Sequence, residues 1–138
     1  FTAPASPPTG SLDSGRTLED RLGAIGDSAV VDALGLGAMT MHLAPAQEEA
    51  LGKFMPESSE ALGRKIMSHI HPEFSRSHPR TGLTARQVAQ VQSSLAVSLG
   101  IIDRDGKHGR IGGGISVVPM EIFIRALKAL QTKIRPGR

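Results

Sequence analysis

Apolar residues recur every three or four positions through most of the chain, a spacing typical of helices that bury one face. Six segments show this pattern, and most of them have a favourable helix start or a glycine where the helix should stop. The first predicted helix covers about 18–25, and Thr17 and Asp20 resemble a capping box at its start. The others are DSAVVDALGLG, APAQEEALGKFM, ESSEALGRKIMSHI, TARQVAQVQSSLAVSLG and a last helix from Pro119 to about Ile134.

The third and fourth segments have recognisable starts. Pro45 lies near the start of the third, and Ser58 or Ser59 is the cap of the fourth. The predicted apolar stripe of the fourth helix consists of Leu62, Ile66 and Ile70, which lie four positions apart.

The fifth segment carries the clearest local signal for a helix. Thr84 and Gln87 form a capping box at its start, and Gly100 marks its end. The spacing predicts one continuous helix between these residues. Its apolar stripe consists of Val88, Val91, Leu95 and Leu99.

The next segment, GIIDRDGKHGRIGGGISVVP, has a different pattern, with β-branched residues on both sides of a glycine-rich turn. This arrangement predicts a two-stranded β-hairpin that ends at Pro119. Together with the preceding helix, the hairpin defines a helix-plus-hairpin unit over residues 83–118.

The ends and connections complete the predicted organisation. Residues 1–16 are rich in proline, serine, threonine and glycine, which predicts a flexible tail or linker. HPEFSRSHPR, with two prolines, predicts a connecting loop. Residues 17–138 are therefore predicted to form a single, mainly α domain of five to six helices and one β-hairpin. The chain begins with phenylalanine, which we interpret as the start of a processed or excised product.

The amino-acid composition excludes several kinds of site and segment. The absence of cysteine excludes disulfides and thiolate metal sites, and it fits a reducing compartment or an organelle matrix. No uninterrupted apolar run approaches the length of a membrane span. Carboxylates such as Asp27 and Asp32 are interpreted as helix caps or as part of a solvated surface. No nucleophile and base stand at a spacing typical of an enzyme, so we predict a non-catalytic protein without a cofactor or metal.

Charge is distributed unevenly along the chain. Residues 1–63 carry three basic and nine acidic side chains, whereas residues 64–138 carry thirteen basic and four acidic ones. A basic half of this kind fits a nucleic acid or an acidic protein surface as the partner. It also fits mutual neutralisation of the two halves within one fold.

The densest set of polar groups is DRDGKHGR, residues 103–110. It resembles an EF-hand calcium loop in its first three positions, but Lys107 and Gly114 occupy positions where that loop needs oxygen ligands. GKHG resembles the glycine-x-x-glycine loop of KH domains, which holds nucleic-acid phosphates, but no helix-forming sequence follows it. A further alternative is a hairpin whose polar tip is solvated.

The fifth helix followed by IIDRDGKHGRI resembles the recognition helix and wing of winged-helix domains. The resemblance implies one set of residues facing a groove and another contacting phosphates. The groove set is Arg86, Gln90, Ser93 and Ser94, and the phosphate set is Arg104, Lys107, His108 and Arg110.

Two functions remain open at this point. The first is a nucleic-acid-binding domain that uses the helix-plus-wing unit. The second is an accessory or scaffolding subunit of a larger protein assembly, or a secreted protein-interaction module, whose charged half contacts an acidic protein surface.

Overall fold

A computed structural model describes residues 1–74 and 79–134, and its fold is α/β, with 45% helix and 22% strand. The five strands of this described part form two antiparallel sheets. The prediction of a mainly α fold is therefore wrong. Part of the predicted connecting loop, including His78, and the last four residues lie outside the described part.

The described residues form five α-helices and five strands, with short 3-10 helices between several of them, and α1, α2 and α3 follow one another between β1 and β2. The strands are β1 (Thr9–Leu12), β2 (Met67–Ile70), β3 (Arg80–Leu83), β4 (Ala96–Ile102) and β5 (Arg110–Val117). The helices are α1 (Ser28–Leu34), α2 (Pro45–Leu51), α3 (Ser59–Ile66), α4 (Ala85–Val91) and α5 (Glu121–Ile134). The 3-10 helices are Leu18–Asp20, Ala38–Leu43, Gly52–Phe54 and Pro72–Phe74.

The larger sheet has the strand order β1-β5-β4, and the smaller one pairs β2 with β3. The predicted hairpin is confirmed as β4–β5, but it is longer than expected, because the GGG run lies inside β5 and not in the turn. A Cβ added at Gly114 would lie 2.6 Å from the Thr9 carbonyl oxygen of β1. Glycine is therefore needed in β5 where the backbone of β1 lies against it.

Replacing Gly114 with alanine should displace β1 and lower the free energy of unfolding by about 1–3 kcal/mol, because the added methyl group meets backbone. Gly113→Ala is the matched control, since its Cβ would meet only side-chain atoms at 3.4 Å and beyond. Denaturant unfolding and amide hydrogen exchange of Thr9–Leu12 measure both effects. Equal losses for the two variants would contradict this account of β1.

The predicted fifth helix is wrong beyond its first two turns. The helix α4 starts after its Thr84 cap as predicted, but it ends at Val91, and Gln92 has a left-handed backbone with φ of 53°. Leu95 is buried as predicted, yet it lies at the entry to β4. Alternate residues of the segment are also apolar, so its spacing fits a buried strand as well as a helix. A winged-helix architecture is therefore wrong for residues 83–118.

The N-terminal residues lie against the sheet, in contrast to the predicted flexible tail. Residues 9–12 form β1, Pro8 is buried, and the Arg21 guanidinium donates a hydrogen bond to the Pro8 carbonyl oxygen at 2.7 Å. The predicted helix over 18–25 is a single 3-10 turn, although the capping box of Thr17 and Asp20 forms as expected. Backbone pairing orders this region, which apolar spacing alone does not reveal.

The hydrophobic core lies between the larger sheet and the helices. Leu62 and Ile66 of α3 pack with methionines of the 3-10 helix Ala38–Leu43 and with residues of β4 and β5. The helix α4 packs against α3 and α5. The predicted starts of α2 at Pro45 and of α3 after Ser58 are confirmed.

Candidate functional site

The helix α1 has an unusual distribution of polarity. Its sequence is SAVVDAL, and its one charged residue, Asp32, is only 1% exposed. Asp32 therefore does not lie on a solvated surface, and its side chain does not cap the helix. Helices of globular proteins normally bury apolar side chains and expose charged ones.

The Asp32 carboxylate connects three parts of the fold. Its Oδ2 accepts a hydrogen bond from the Ser98 N–H of β4 at 3.1 Å, and its Oδ1 accepts one from the Ala38 N–H. A Cβ at Gly37 would lie 2.6 Å from the Asp32 Cγ, so a glycine is required where the chain passes the carboxylate. The carboxylate thus holds α1 against the edge of the sheet and the following 3-10 helix.

Burial also changes the protonation of this group. Burial raises the pKa of Asp32 above the ordinary value of 3.8, although the hydrogen bonds from Ala38 and Ser98 act in the opposite direction. The raised pKa identifies burial as the larger of the two influences.

A pocket of about 360 Å³ lies beside this carboxylate. Its polar lining comes from acidic, hydroxyl and amide side chains, with no Lys, Arg or His among the residues that form it. The polar residues of this lining are Asp27, Ser28, Asp32, Thr40, Gln47 and Ser98. Because Asp32 is nearly inaccessible, its carboxylate serves the fold and is not a group that a bound molecule could readily reach.

The outer side of α1 is apolar and exposed. Val30 is 66% exposed and Leu34 is 53% exposed, and neighbouring Val31 and Leu36 are also exposed. An open groove runs between α1 and β3, and small residues form part of it. It is lined by Ala29, Val30, Ala33, Leu34, Gly82 and Leu83. We call these six residues, with Val31 and Leu36, the α1 surface.

One feature of the sequence indicates the α1 surface, although the spacing of apolar residues does not. All of α1 apart from Ser28 and Asp32 is apolar, so no polar side was available to face water. A short helix that is apolar nearly all round is expected to be covered on more than one side.

A second polar cluster joins three helices around Ser59. The Ser59 hydroxyl donates a hydrogen bond to Glu48 Oε2 at 3.1 Å and accepts one from the His42 N–H at 2.9 Å, while His42 Nδ1 lies 3.2 Å away. The serine is fully buried and lies between the acid and the histidine. In a hydrolytic triad the histidine lies between the other two groups. This cluster therefore connects helices and does not present a nucleophile, and no spacing in the sequence predicted it.

The segment DRDGKHGR forms the tip of the β4–β5 hairpin. Asp103 is buried, and its Oδ2 accepts hydrogen bonds at 3.0 Å from the backbone N–H groups of Lys107 and His108. The His108 Nδ1 also lies 3.0 Å from the same oxygen. Burial raises the pKa of Asp103, but hydrogen bonds from His108 and from backbone N–H groups outweigh it, so the pKa is lowered.

The predicted contact residues fall into two separate groups. Arg86 and Gln90 are exposed on α4, and Ser93 and Ser94 follow that helix, with the Ser94 hydroxyl donating to the Val118 carbonyl oxygen. The phosphate set lies exposed at the hairpin tip, at the other end of β4. A seven-residue strand separates the groups by about 20 Å. The phosphate set is Arg104, Lys107, His108 and Arg110.

The hairpin tip is basic but partly neutralised. Lys107 Nζ lies 3.5 Å from Asp105 Oδ2, and the Arg110 guanidinium donates to the Gly112 carbonyl oxygen. Contact with nucleic acid was predicted from a helix-plus-wing unit that the fold does not contain. Neither the structure nor the comparisons below support nucleic-acid binding.

Two findings concern metals and membranes. Within residues 1–74 and 79–134, no three potential metal-ligating side chains come together. None of the helices in this part of the chain has the length and apolar character needed to cross a membrane.

Comparisons with known proteins give two relatives. No family model matches the chain. It is 28% identical over 146 aligned positions to the oxamate carbamoyltransferase subunit AllG of Escherichia coli (strain K12), covering 99% of this chain and 35% of that protein. A crystal structure of a conserved protein of unknown function from Enterococcus faecalis V583 superimposes with a TM-score of 0.81 and 26% identity. That match covers 98% of this chain and 34% of the solved one.

The chain thus spans about a third of the length of both proteins that it resembles. Because nearly all of this chain takes part in each match, the similarity extends over the whole arrangement of helices and strands and is not confined to one motif.

Proposed function

We propose that the chain serves as a non-catalytic structural domain within a longer subunit of a carbamoyl-transferring enzyme assembly. The observation that carries this proposal is the similarity of 99% of the chain to one third of an oxamate carbamoyltransferase subunit. The longer chain from Enterococcus faecalis, which contains a similarly folded third, supports the same arrangement.

The chemistry of the described residues agrees with a structural role. The buried polar groups Asp32, Ser59 and Asp103 use their oxygen atoms to hold helices, strands and the hairpin turn together. The exposed cations lie at the hairpin tip and on the helices, where an acidic surface of another protein in the assembly could contact them. Such a domain would contribute to carbamoyl transfer by positioning the catalytic parts of the assembly.

A domain exchange tests this proposal. The third of the Escherichia coli subunit that aligns with this chain is replaced by the chain, and the complete enzyme is assayed for carbamoyl transfer with oxamate. We expect activity clearly above that of an enzyme whose subunit lacks the segment, because 99% of the chain aligns with that third of the subunit at 28% identity.

A second exchange serves as the matched control, with Ile66→Ala introduced to weaken the core of the domain. It should lower the activity or the thermal stability of the assembled enzyme. An assembled, folded enzyme that shows no carbamoyl transfer with the native chain in place would contradict the proposal.

A further inference from the structure

We infer that the α1 surface is the contact through which this domain packs against the remaining part of a longer polypeptide. The inference rests on the proposed function, since it needs the additional chain that both relatives possess. It goes further by naming the residues that make the contact and the chemistry of the segment that covers them.

The polarity of α1 supports this contact. Asp32 points inward to the Ser98 N–H, while Val30 and Leu34 are more than half exposed on the outside. Exposed aliphatic side chains next to each other on one helix mark an interaction surface more often than a solvated one. The inward carboxylate fixes the rotation of the helix, so these side chains cannot turn into the core.

The shape of the groove between α1 and β3 also supports this contact. Ala29, Ala33 and Gly82 provide little side-chain bulk, and the larger Val30, Leu34 and Leu83 stand beside them. No charged residue lines this groove. Its shape and polarity fit aliphatic or aromatic side chains projecting from one side of an amphipathic helix.

The length of the two relatives indicates which molecule covers the groove. About two thirds of each relative lies outside the region that matches this chain. A segment on the same polypeptide meets the groove at a high effective concentration, whereas a second copy must reach it by diffusion. We therefore assign the α1 surface to the apolar side of an amphipathic helix of the same longer chain.

The test uses the double substitution Val30→Glu with Leu34→Lys. In the 138-residue chain alone it should leave the melting temperature unchanged, because both positions are exposed and opposite charges four residues apart favour a helix. In the domain-exchange protein the same change places two charges in a covered apolar contact. There it should speed amide hydrogen exchange of residues 28–34 by about ten- to one-hundredfold.

The matched control is Leu130→Lys in α5, where the leucine is 52% exposed. It should leave the amide hydrogen exchange of α1 unchanged in the 138-residue chain and in the domain-exchange protein. Placing the double substitution at the aligned positions of the Escherichia coli subunit gives a second measurement that does not depend on the exchange protein folding.

Several outcomes would overturn the inference. One is amide hydrogen exchange of α1 that is equally fast in the isolated chain and in the longer protein. Another is a dimer of the isolated chain that the double substitution dissociates, since this would assign the surface to a second copy. An active exchange protein that tolerates the double substitution would overturn the contact but not the proposed function. An inactive but folded exchange protein with α1 still protected would overturn only the proposed function.

Discussion

Asp32→Ala should lower the free energy of unfolding by about 2–5 kcal/mol, since it removes the acceptor of two backbone N–H groups and each unsatisfied buried donor costs about 1–3 kcal/mol. Chemical denaturation at neutral pH measures the loss.

Asp27→Ala is the matched control, because Asp27 precedes the same helix, is exposed and makes no capping hydrogen bond with its side chain. We expect it to change the free energy of unfolding by less than about 0.5 kcal/mol. Asp32→Asn should give an intermediate loss, since an amide oxygen can replace one of the two acceptors. Similar values for Asp27→Ala and Asp32→Ala would contradict the role assigned to the buried carboxylate.

The pH dependence of stability gives an independent measurement of Asp32. Because burial raises its pKa in the folded state, the folded chain holds this proton more tightly than the unfolded chain. The resulting stabilisation is fully present below about pH 3.8, the ordinary pKa of the group, and it is lost as the pH rises through the raised folded-state pKa. Asp32→Asn should lack this loss. The difference in free energy of unfolding between wild type and variant should therefore change between pH 3.8 and the folded-state pKa, and it should be constant at higher pH.

Ile66→Ala should lower the free energy of unfolding by about 2–5 kcal/mol, because the side chain is completely buried at the end of α3. Truncation leaves a cavity among Leu62, Met67 and their neighbours in the core. Denaturant unfolding measures this loss. An unchanged slope of the free energy of unfolding against denaturant concentration shows that the variant lost stability without a change in its unfolded state.

Ile70→Ala provides the matched control four residues further along the chain. The sequence spacing placed Leu62, Ile66 and Ile70 on one helical stripe, but Ile70 lies in β2 and is 56% exposed. We expect its truncation to change stability by less than about 0.5 kcal/mol. A large loss for Ile70→Ala would support the continuous helix predicted from the sequence and would contradict the observed strand.

The candidate site was largely hidden from the sequence. Spacing identified α1 and its glycine stop, but it did not show that Asp32 faces Ser98 of β4, which lies 66 positions further along the chain. The contact residues that were predicted instead stand in two groups at opposite ends of β4, and the basic side chains among them are exposed. Charge and glycine content are visible in a sequence, whereas partners distant in the chain are not.

The sequence by itself determined the elements that depend on neighbouring residues. The capping box at Thr17, the Thr84 cap of α4, the start of α2 at Pro45 and the turn of the β4–β5 hairpin follow from local hydrogen bonding and backbone preference. The predicted box at Thr84 is only half formed, because the Gln87 side chain donates to the Lys65 carbonyl oxygen.

Tertiary structure decided the elements whose hydrogen-bond partners lie far away along the chain. The segment 95–102 is apolar at spacings that fit a helix or a strand, and pairing with β5 selects the strand. The segment 9–12 has almost no apolar pattern, yet it becomes β1, because the glycines of β5 leave room for its backbone. Local propensities differ by fractions of about 1 kcal/mol per residue, so burial and pairing across the fold override them.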